Sequence, residues 1–123
     1  MTRTLHSTPT FQLRLALNRD VVIGPGKADL LDMIDQVGSI SAAGRSLKMS
    51  YKKAWQLIET MNNHFSSPLV VTSAGGNERG GAHLTELGKQ VLSHYRALEK
   101  QLSPDHNIEA QALLSLMATP SSH

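Results

Sequence analysis

The chain has 123 residues, no cysteine and a formal net charge of +2 at pH 7. This length predicts one compact domain with its own core, and we expect no separate effector domain. Without cysteine the chain forms neither a disulfide nor a thiolate metal site. No stretch approaches the roughly 20 apolar residues of a membrane-spanning helix, and residues 1–10 contain no signal-like apolar run. We therefore expect a cytoplasmic protein without a membrane partner.

Charge is distributed unevenly along the chain. The segment between Gln36 and Ile58 contains four cations and no acidic residue, namely Arg45, Lys48, Lys52 and Lys53. Three acidic residues crowd the segment directly before it, namely Asp29, Asp32 and Asp35. Because the small net charge hardly argues for a nucleic-acid partner, this distribution carries more weight than the total.

The N-terminal third is predicted to form two short strands and a helix after a flexible tail of residues 1–10. Apolar and polar residues alternate over residues 11–17, which predicts a half-buried strand. A turn follows, and residues 21–23 can pair back as a second strand. Apolar residues at helical spacing then predict a helix over residues 27–38, with Gly38 as its left-handed C-terminal cap.

Two further helices are predicted in the basic segment. Ser39 or Ser41 can cap a short second helix that ends near Lys48, and its small residues favour close packing. Ser50 can cap a third helix. Its apolar residues form one stripe that should face the core, namely Ala54, Leu57, Ile58, Met61 and Phe65.

The remaining elements are a hairpin and a long helix. Residues 69–72 and 82–84 are predicted strands that flank a glycine-rich loop. Thr85 then caps a fourth helix that reaches about Leu102. Its apolar residues repeat like a coiled-coil seam, which we interpret as a dimerisation face: Leu87, Val91, Tyr95, Leu98 and Leu102. Residues 103–123 are predicted to be a tail with at most one short helix over residues 108–117.

This order of elements predicts a mainly α fold with small β elements, an α+β winged helix-turn-helix over residues 11–102 with a long C-terminal dimerisation helix. Such domains bind DNA, because an α-helix fits the major groove while the preceding helix fixes its approach. The candidate DNA-binding residues are Ser50, Tyr51, Lys52, Lys53, Gln56 and Thr60 on the third helix, Arg45 and Lys48 before it, and Arg79 in the wing. The alternative is an ordinary solvated helix face, and Trp55 is interpreted as a packing residue.

Enzymatic and metal sites are not indicated. The glycines at positions 75, 76, 80 and 81 match neither phosphate-binding fingerprint. The histidines lack metal-ligand spacing, and no catalytic triad or carboxylate pair stands out. We therefore predict a non-enzyme with no cofactor and no metal.

Two runs of residues, 38–43 (GSISAA) and 49–55 (MSYKKAW), resemble the molybdate-dependent transcriptional regulators of the ModE type. The glycines of residues 75–81, followed by Leu84-Thr85 and Gly88, are similar to that family's wing and dimerising helix. LysR-type regulators share a looser version of this module. The resemblance covers roughly residues 11–102 and implies a homodimer that binds a palindromic operator through the helix containing residues 50–56.

The sequence departs from the family at two points. Family members continue into molybdate-binding domains, whereas only a short tail follows Leu102 here, so direct molybdate binding is not expected. Gln56 follows Trp55 where family members commonly carry an acidic residue, so the operator sequence is expected to differ. Two alternatives stay open, a protein interaction module that uses the leucine seam and an oxyanion sensor with a pocket between helices.

Overall fold

A computed structural model describes residues 9–73 and 81–118. Its elements are β1 (Leu15–Leu17), β2 (Asp20–Ile23), α1 (Pro25–Val37), α2 (Ile40–Ser46), α3 (Tyr51–His64), β3 (Val70–Thr72), β4 (Ala82–Leu84), α4 (Glu86–Gln101) and α5 (Ile108–Ser115). The strands form two small antiparallel sheets, β1 with β2 and β3 with β4. The predicted α+β class is confirmed.

The helix boundaries follow from local capping. Ser39, Ser50 and Thr85 each accept a hydrogen bond at the side-chain oxygen, from the amide three residues further on, over 3.0–3.1 Å. Each bond satisfies an amide that lacks a partner inside the helix. Gly38 ends α1 at φ 69°, in the left-handed region that glycine adopts without a Cβ clash. These four predicted boundaries are confirmed.

The core lies between α1, α3 and the β3–β4 hairpin. Leu30, Leu31 and Ile34 of α1 are fully buried. The predicted stripe of α3 faces them, with Ala54, Ile58 and Met61 buried and Leu57 and Phe65 packed around the edge. Because one face of α3 is buried along its length, the opposite face points to solvent.

The base of the hairpin is attached to the connection between α1 and α2. Ser39 forms a β-bridge with Gly81, and the amide of Ala82 donates to the carbonyl of Gly38 over 3.0 Å. The position of the hairpin is thereby fixed relative to α2 and α3. Arg79 lies outside the described residues.

The N-terminal strand differs from its prediction. Leu15 and Leu17 are 54% and 56% exposed, so β1 is not half-buried within this chain. The reason is the order of layers: β2 packs on α1 and α3, whereas β1 pairs only with β2 and lies outside it. Alternation along a strand predicts two faces but does not tell whether anything covers the apolar one.

Candidate nucleic-acid interface

The two helices of the basic segment pack closely across a tight turn. Gly44 of α2 is buried, and a Cβ there would lie 3.4 Å from the carbonyl oxygen of Met49 and 3.6 Å from the Cβ of Ala54. The Met49 amide donates to the Gly44 carbonyl over 2.9 Å. This turn forces Lys48 to φ 58°. The predicted close packing of α2 is confirmed, and it fixes the angle at which α3 projects.

A shallow groove runs along the solvent side of α3, and we call it the α3 groove. It is lined by Lys53, Gln56, Leu57, Glu59, Thr60 and Asn63. Lys52 is exposed at the start of the same helix. The Thr60 hydroxyl donates to the backbone carbonyl of Gln56 over 2.8 Å. The structure thus brings Lys53, Gln56 and Thr60, all predicted DNA-binding residues, to one surface.

The cations next to this groove have no acidic partner among the described residues. Within residues 9–73 and 81–118, Lys48, Lys52 and Lys53 form no ion pair, and Arg45 donates to the Ser41 hydroxyl over 2.8 Å. Two carboxylates of the preceding acidic segment are instead turned away, toward Arg96 of α4. These three lysines therefore form no ion pair within the described chain.

The start of α3 carries two further predicted contact residues. Ser50 caps the helix with its hydroxyl oxygen, which leaves the hydroxyl proton to donate outward. Tyr51 is 56% exposed and meets Trp55 edge-on, with ring centroids 6.3 Å apart. Trp55 packs against the core, so its interpretation as a packing residue is confirmed.

Lys27 is a buried cation that sequence analysis did not single out. Its ammonium donates to the carbonyl of Val21, at the junction of β2 and α1. Burial lowers the pKa of Lys27; Asp20 opposes this shift and Lys53 adds to it. The positive charge of Lys53 therefore acts on a second cation. The sequence gives no signal for the burial of Lys27, because that burial depends on tertiary packing.

Asn62 is a second residue that sequence analysis missed. Its side-chain oxygen accepts from the amides of Leu69 and Val70 over 2.8 and 3.4 Å, and its nitrogen donates to the Val70 carbonyl over 3.4 Å. Asn62 thereby ties the end of α3 to the first strand of the hairpin. The available signal was a polar residue directly beside the buried stripe, just before a proline-containing connection.

The predicted dimerisation residues do not share one environment. Leu98 is 49% exposed, and Leu102 is half-buried. Leu87 and Val91 pack partly against the core of their own chain. The prediction that Tyr95 lies on a dimerisation face is corrected. Tyr95 is 4% exposed within its own chain, and its hydroxyl donates to the Leu13 carbonyl over 2.7 Å. Tyr95 faces inward because the segment before β1 crosses that side of α4.

The histidines and carboxylates do not gather into a metal site in the part of the chain that the structure describes. In residues 9–73 and 81–118 no cluster of three His, Asp or Glu side chains is placed to hold a metal ion. No helix in those two ranges is long and apolar enough to cross a membrane.

The geometry defines the class of protein. A helix-turn-helix whose second helix leads into a two-stranded hairpin, followed by a long helix, is the α+β architecture of a winged helix domain. The comparisons with known proteins then show which proteins the chain is similar to.

No family model matches the chain. The molybdenum transport protein ModE of Azotobacter vinelandii is 43% identical over 91 residues, 72% of this chain and 34% of that protein. The transcriptional regulator ModE of Haemophilus influenzae is 33% identical over 112 residues, 86% of this chain and 44% of that protein. The DNA-binding transcriptional dual regulator ModE of Escherichia coli is 34% identical over 113 residues, 86% of this chain and 43% of that protein.

The chain is therefore a homologue of the ModE-type regulators, and the resemblance inferred from its motifs is confirmed. It spans less than half the length of these relatives, between 34% and 44%. The relatives are named as regulators or as a transport protein and not as enzymes, which agrees at that coarse level with the predicted non-enzyme.

Proposed function

We propose that this chain regulates transcription by binding double-stranded DNA sequence-specifically as a homodimer, in the cytoplasm. One observation carries the proposal: the outward face of α3 presents Lys52, Lys53 and Gln56, with neither lysine ion-paired in the described chain. The relation to regulators named as DNA-binding supports it. What the relatives' names say of molybdenum is not carried over to this chain, which spans 34% and 44% of the Azotobacter vinelandii and Haemophilus influenzae proteins.

The chemistry follows from charge and shape. In this proposal α3 enters the major groove, and the lysines neutralise phosphates and release condensed counterions. Arg45 and Lys48 meet the backbone from the preceding helix and turn. Gln56 presents both a donor and an acceptor, the pair that matches an adenine edge, and the proton of the Ser50 hydroxyl is free to donate to a phosphate.

The dimer is supported by apolar surface that the described chain leaves uncovered. The exposed large apolar residues of the C-terminal part are Leu98, Ile108, Leu113, Leu116 and Met117. We propose that a second copy covers them, and such a homodimer must hold its two α3 helices about one DNA turn apart, roughly 34 Å, to bind a palindromic site. The second candidate function, a protein interaction module, uses the same surface for a different partner.

The proposal is tested by sequencing the genomic fragments that the purified protein retains at physiological salt. Recovery of a two-fold symmetric motif is the expected result. Lys52→Ala and Lys53→Ala should each weaken binding and reduce the salt dependence by about one phosphate contact, whereas Lys100→Ala on α4 should change neither.

Two results would contradict the proposal. Recovery of all fragments at equal frequency would leave only non-specific binding, and equal salt dependence in the three lysine variants would remove α3 from the interface. Sedimentation at low protein concentration separates the candidate functions. A dimer supports the regulator, whereas a stable monomer favours the interaction module.

A further inference from the structure

Among the described residues, Glu59 is the single carboxylate that lines the α3 groove, and it has no partner there. Glu59 is exposed, and within the described residues its side chain makes neither a hydrogen bond nor an ion pair. Its neighbours one helical turn away are Trp55, Gln56, Asn62 and Asn63, none of which carries a charge. Glu59 is therefore not an ordinary member of a surface salt bridge.

The location of Glu59 is costly for a surface that approaches DNA. A carboxylate facing phosphates would be repelled, and it would oppose the effect of Lys52 and Lys53. The same carboxylate is favourable if it faces a base edge that donates hydrogen bonds. In the major groove the amino group of cytosine is such a donor, and glutamate is suited to accept from it.

We propose that Glu59 reads a cytosine, by accepting a hydrogen bond from its N4 amino group, at the base pair next to the one that Gln56 contacts. This inference rests on the proposed function. Glu59 follows Gln56 by three residues, which is a rise of about 4.5 Å along the helix, and neighbouring base pairs are about 3.4 Å apart. Both side chains line one groove, so they address adjacent base pairs.

Thr60 supports the assignment of an accepting site. Because its hydroxyl proton is donated to the Gln56 carbonyl, the oxygen presents only lone pairs to a ligand. Glu59 and Thr60 together form an acceptor-only stretch of the α3 groove. This stretch favours the amino groups of cytosine and adenine and disfavours the acceptor edges of guanine and thymine.

The first test selects DNA from a random library with the wild-type protein and with Glu59→Gln, Glu59→Ala and Gln56→Ala. The wild type should select cytosine at one position of each half-site, adjacent to the position whose preference is lost in Gln56→Ala. Glu59→Gln keeps the shape, removes the charge and adds donors, so it should shift that position toward adenine. The expected change in discrimination is roughly 5- to 150-fold, with the other positions unchanged.

The second test probes the hydrogen bond itself. N4-methylcytosine keeps the proton used in base pairing and replaces the one that points into the major groove. Placed at the selected position, it should weaken wild-type binding and leave binding by Glu59→Ala unchanged.

Two failures can be told apart. If both Glu59 variants select the wild-type motif and bind all DNA more tightly by one common factor, Glu59 acts only through its charge and the inference is wrong. If the wild type selects no motif, the proposed function itself fails. Thermal melts of the variants establish that each one is folded.

Discussion

Two charged surfaces of this domain use the same residue types in opposite ways. On the α1–α4 side, Arg96 lies 2.9 Å from both Asp29 and Glu99 and 3.5 Å from Asp32. Burial works against the charged form of Arg96, but Glu99 and Asp29 outweigh it and raise the Arg96 pKa above its ordinary value. On the α3 side, Lys52 and Lys53 pair with no carboxylate of the described chain. Charge on the first surface joins two helices, whereas on the second it is not paired within the described chain.

The largest effect on stability is expected where α4 begins. A Cβ on Gly88 would lie 2.2 Å from the backbone oxygen of Leu69, and that oxygen also accepts from the Thr85 amide over 2.9 Å. Because backbone must move to relieve the clash, Gly88→Ala should destabilise the domain by about 3 kcal/mol, measured by denaturant unfolding. The substitution would displace α4 and so weaken first the ion pairs of Arg96 with Asp29 and Asp32 of α1.

Gly26→Ala is the matched control for this substitution. Gly26 lies in the first turn of α1, and among the described residues no heavy atom beyond its own helical turn lies within 4 Å of the position that a Cβ would take. Alanine there should be neutral or stabilising by up to about 1 kcal/mol, because it restricts the unfolded chain. Equal stability of the two variants would show that α4 does not approach the backbone of Leu69 as closely as described.

Replacement of Arg96 separates the two surfaces directly. Arg96→Met keeps much of the side-chain length but leaves the three carboxylates facing each other, so stability should fall by roughly 1–2 kcal/mol, reduced by partial solvent exposure. Lys52→Met should change stability by less than about 0.5 kcal/mol. The salt dependence of DNA binding should be lower in Lys52→Met and unchanged in Arg96→Met. A loss of stability in Lys52→Met as large as that in Arg96→Met would refute the distinction.

Local signals in the sequence predicted most of the fold. The caps at Ser39, Ser50 and Thr85 depend on residues within one turn, so they are visible without tertiary information. The α3 surface was predicted for the same reason, because helical period assigns Lys52 and Gln56 to the side opposite the apolar stripe.

The contacts that were missed join distant parts of the chain. Arg96 is 67 residues from Asp29, and Tyr95 is 82 residues from Leu13. The seam of α4 has the right spacing for a helix partner, but spacing does not tell whether the partner is another chain or the same one. Tyr95 therefore belongs to the core, although the apolar pattern of α4 predicted it to lie in a dimer interface.

The Tyr95 contact predicts a pH dependence on the packed side. Burial, and next Glu99, raise the pKa of Tyr95 from 10.0 to about 12. Between these values the folded state holds a proton that the unfolded state has lost, so stability falls as pH rises from 10 toward 12. Tyr95→Phe lacks this titration and loses the bond to Leu13, so it should be less stable by about 1 kcal/mol at pH 8.

Melting curves of the wild type and Tyr95→Phe at pH 8 and pH 11 measure both effects. The difference between the two proteins should shrink at the higher pH, because only the wild type loses stability through this tyrosine. A constant difference would mean that the Tyr95 hydroxyl is not held as described. Tyr51→Phe is the control, since Tyr51 is 56% exposed.

A small effect on stability, with the opposite sign, is expected at Lys48. Lys48 has φ 58°, a left-handed conformation that costs a residue with a Cβ roughly 1 kcal/mol. Lys48→Gly removes that strain, but glycine also adds entropy to the unfolded chain, which offsets part of the gain. The free energy of unfolding should therefore rise by about 0.5 kcal/mol.

The same substitution removes a cation from the turn before α3. If Lys48 meets a phosphate, Lys48→Gly should bind DNA more weakly, with a salt dependence lower by about one contact, although the protein is more stable. Lys48→Asn, which tolerates the left-handed region, controls for added flexibility of the turn. Weaker binding in both variants would mean that this strained position is occupied by lysine for its charge. Unchanged binding in both would place Lys48 outside the interface and leave Arg45 as the remaining candidate contact before α3.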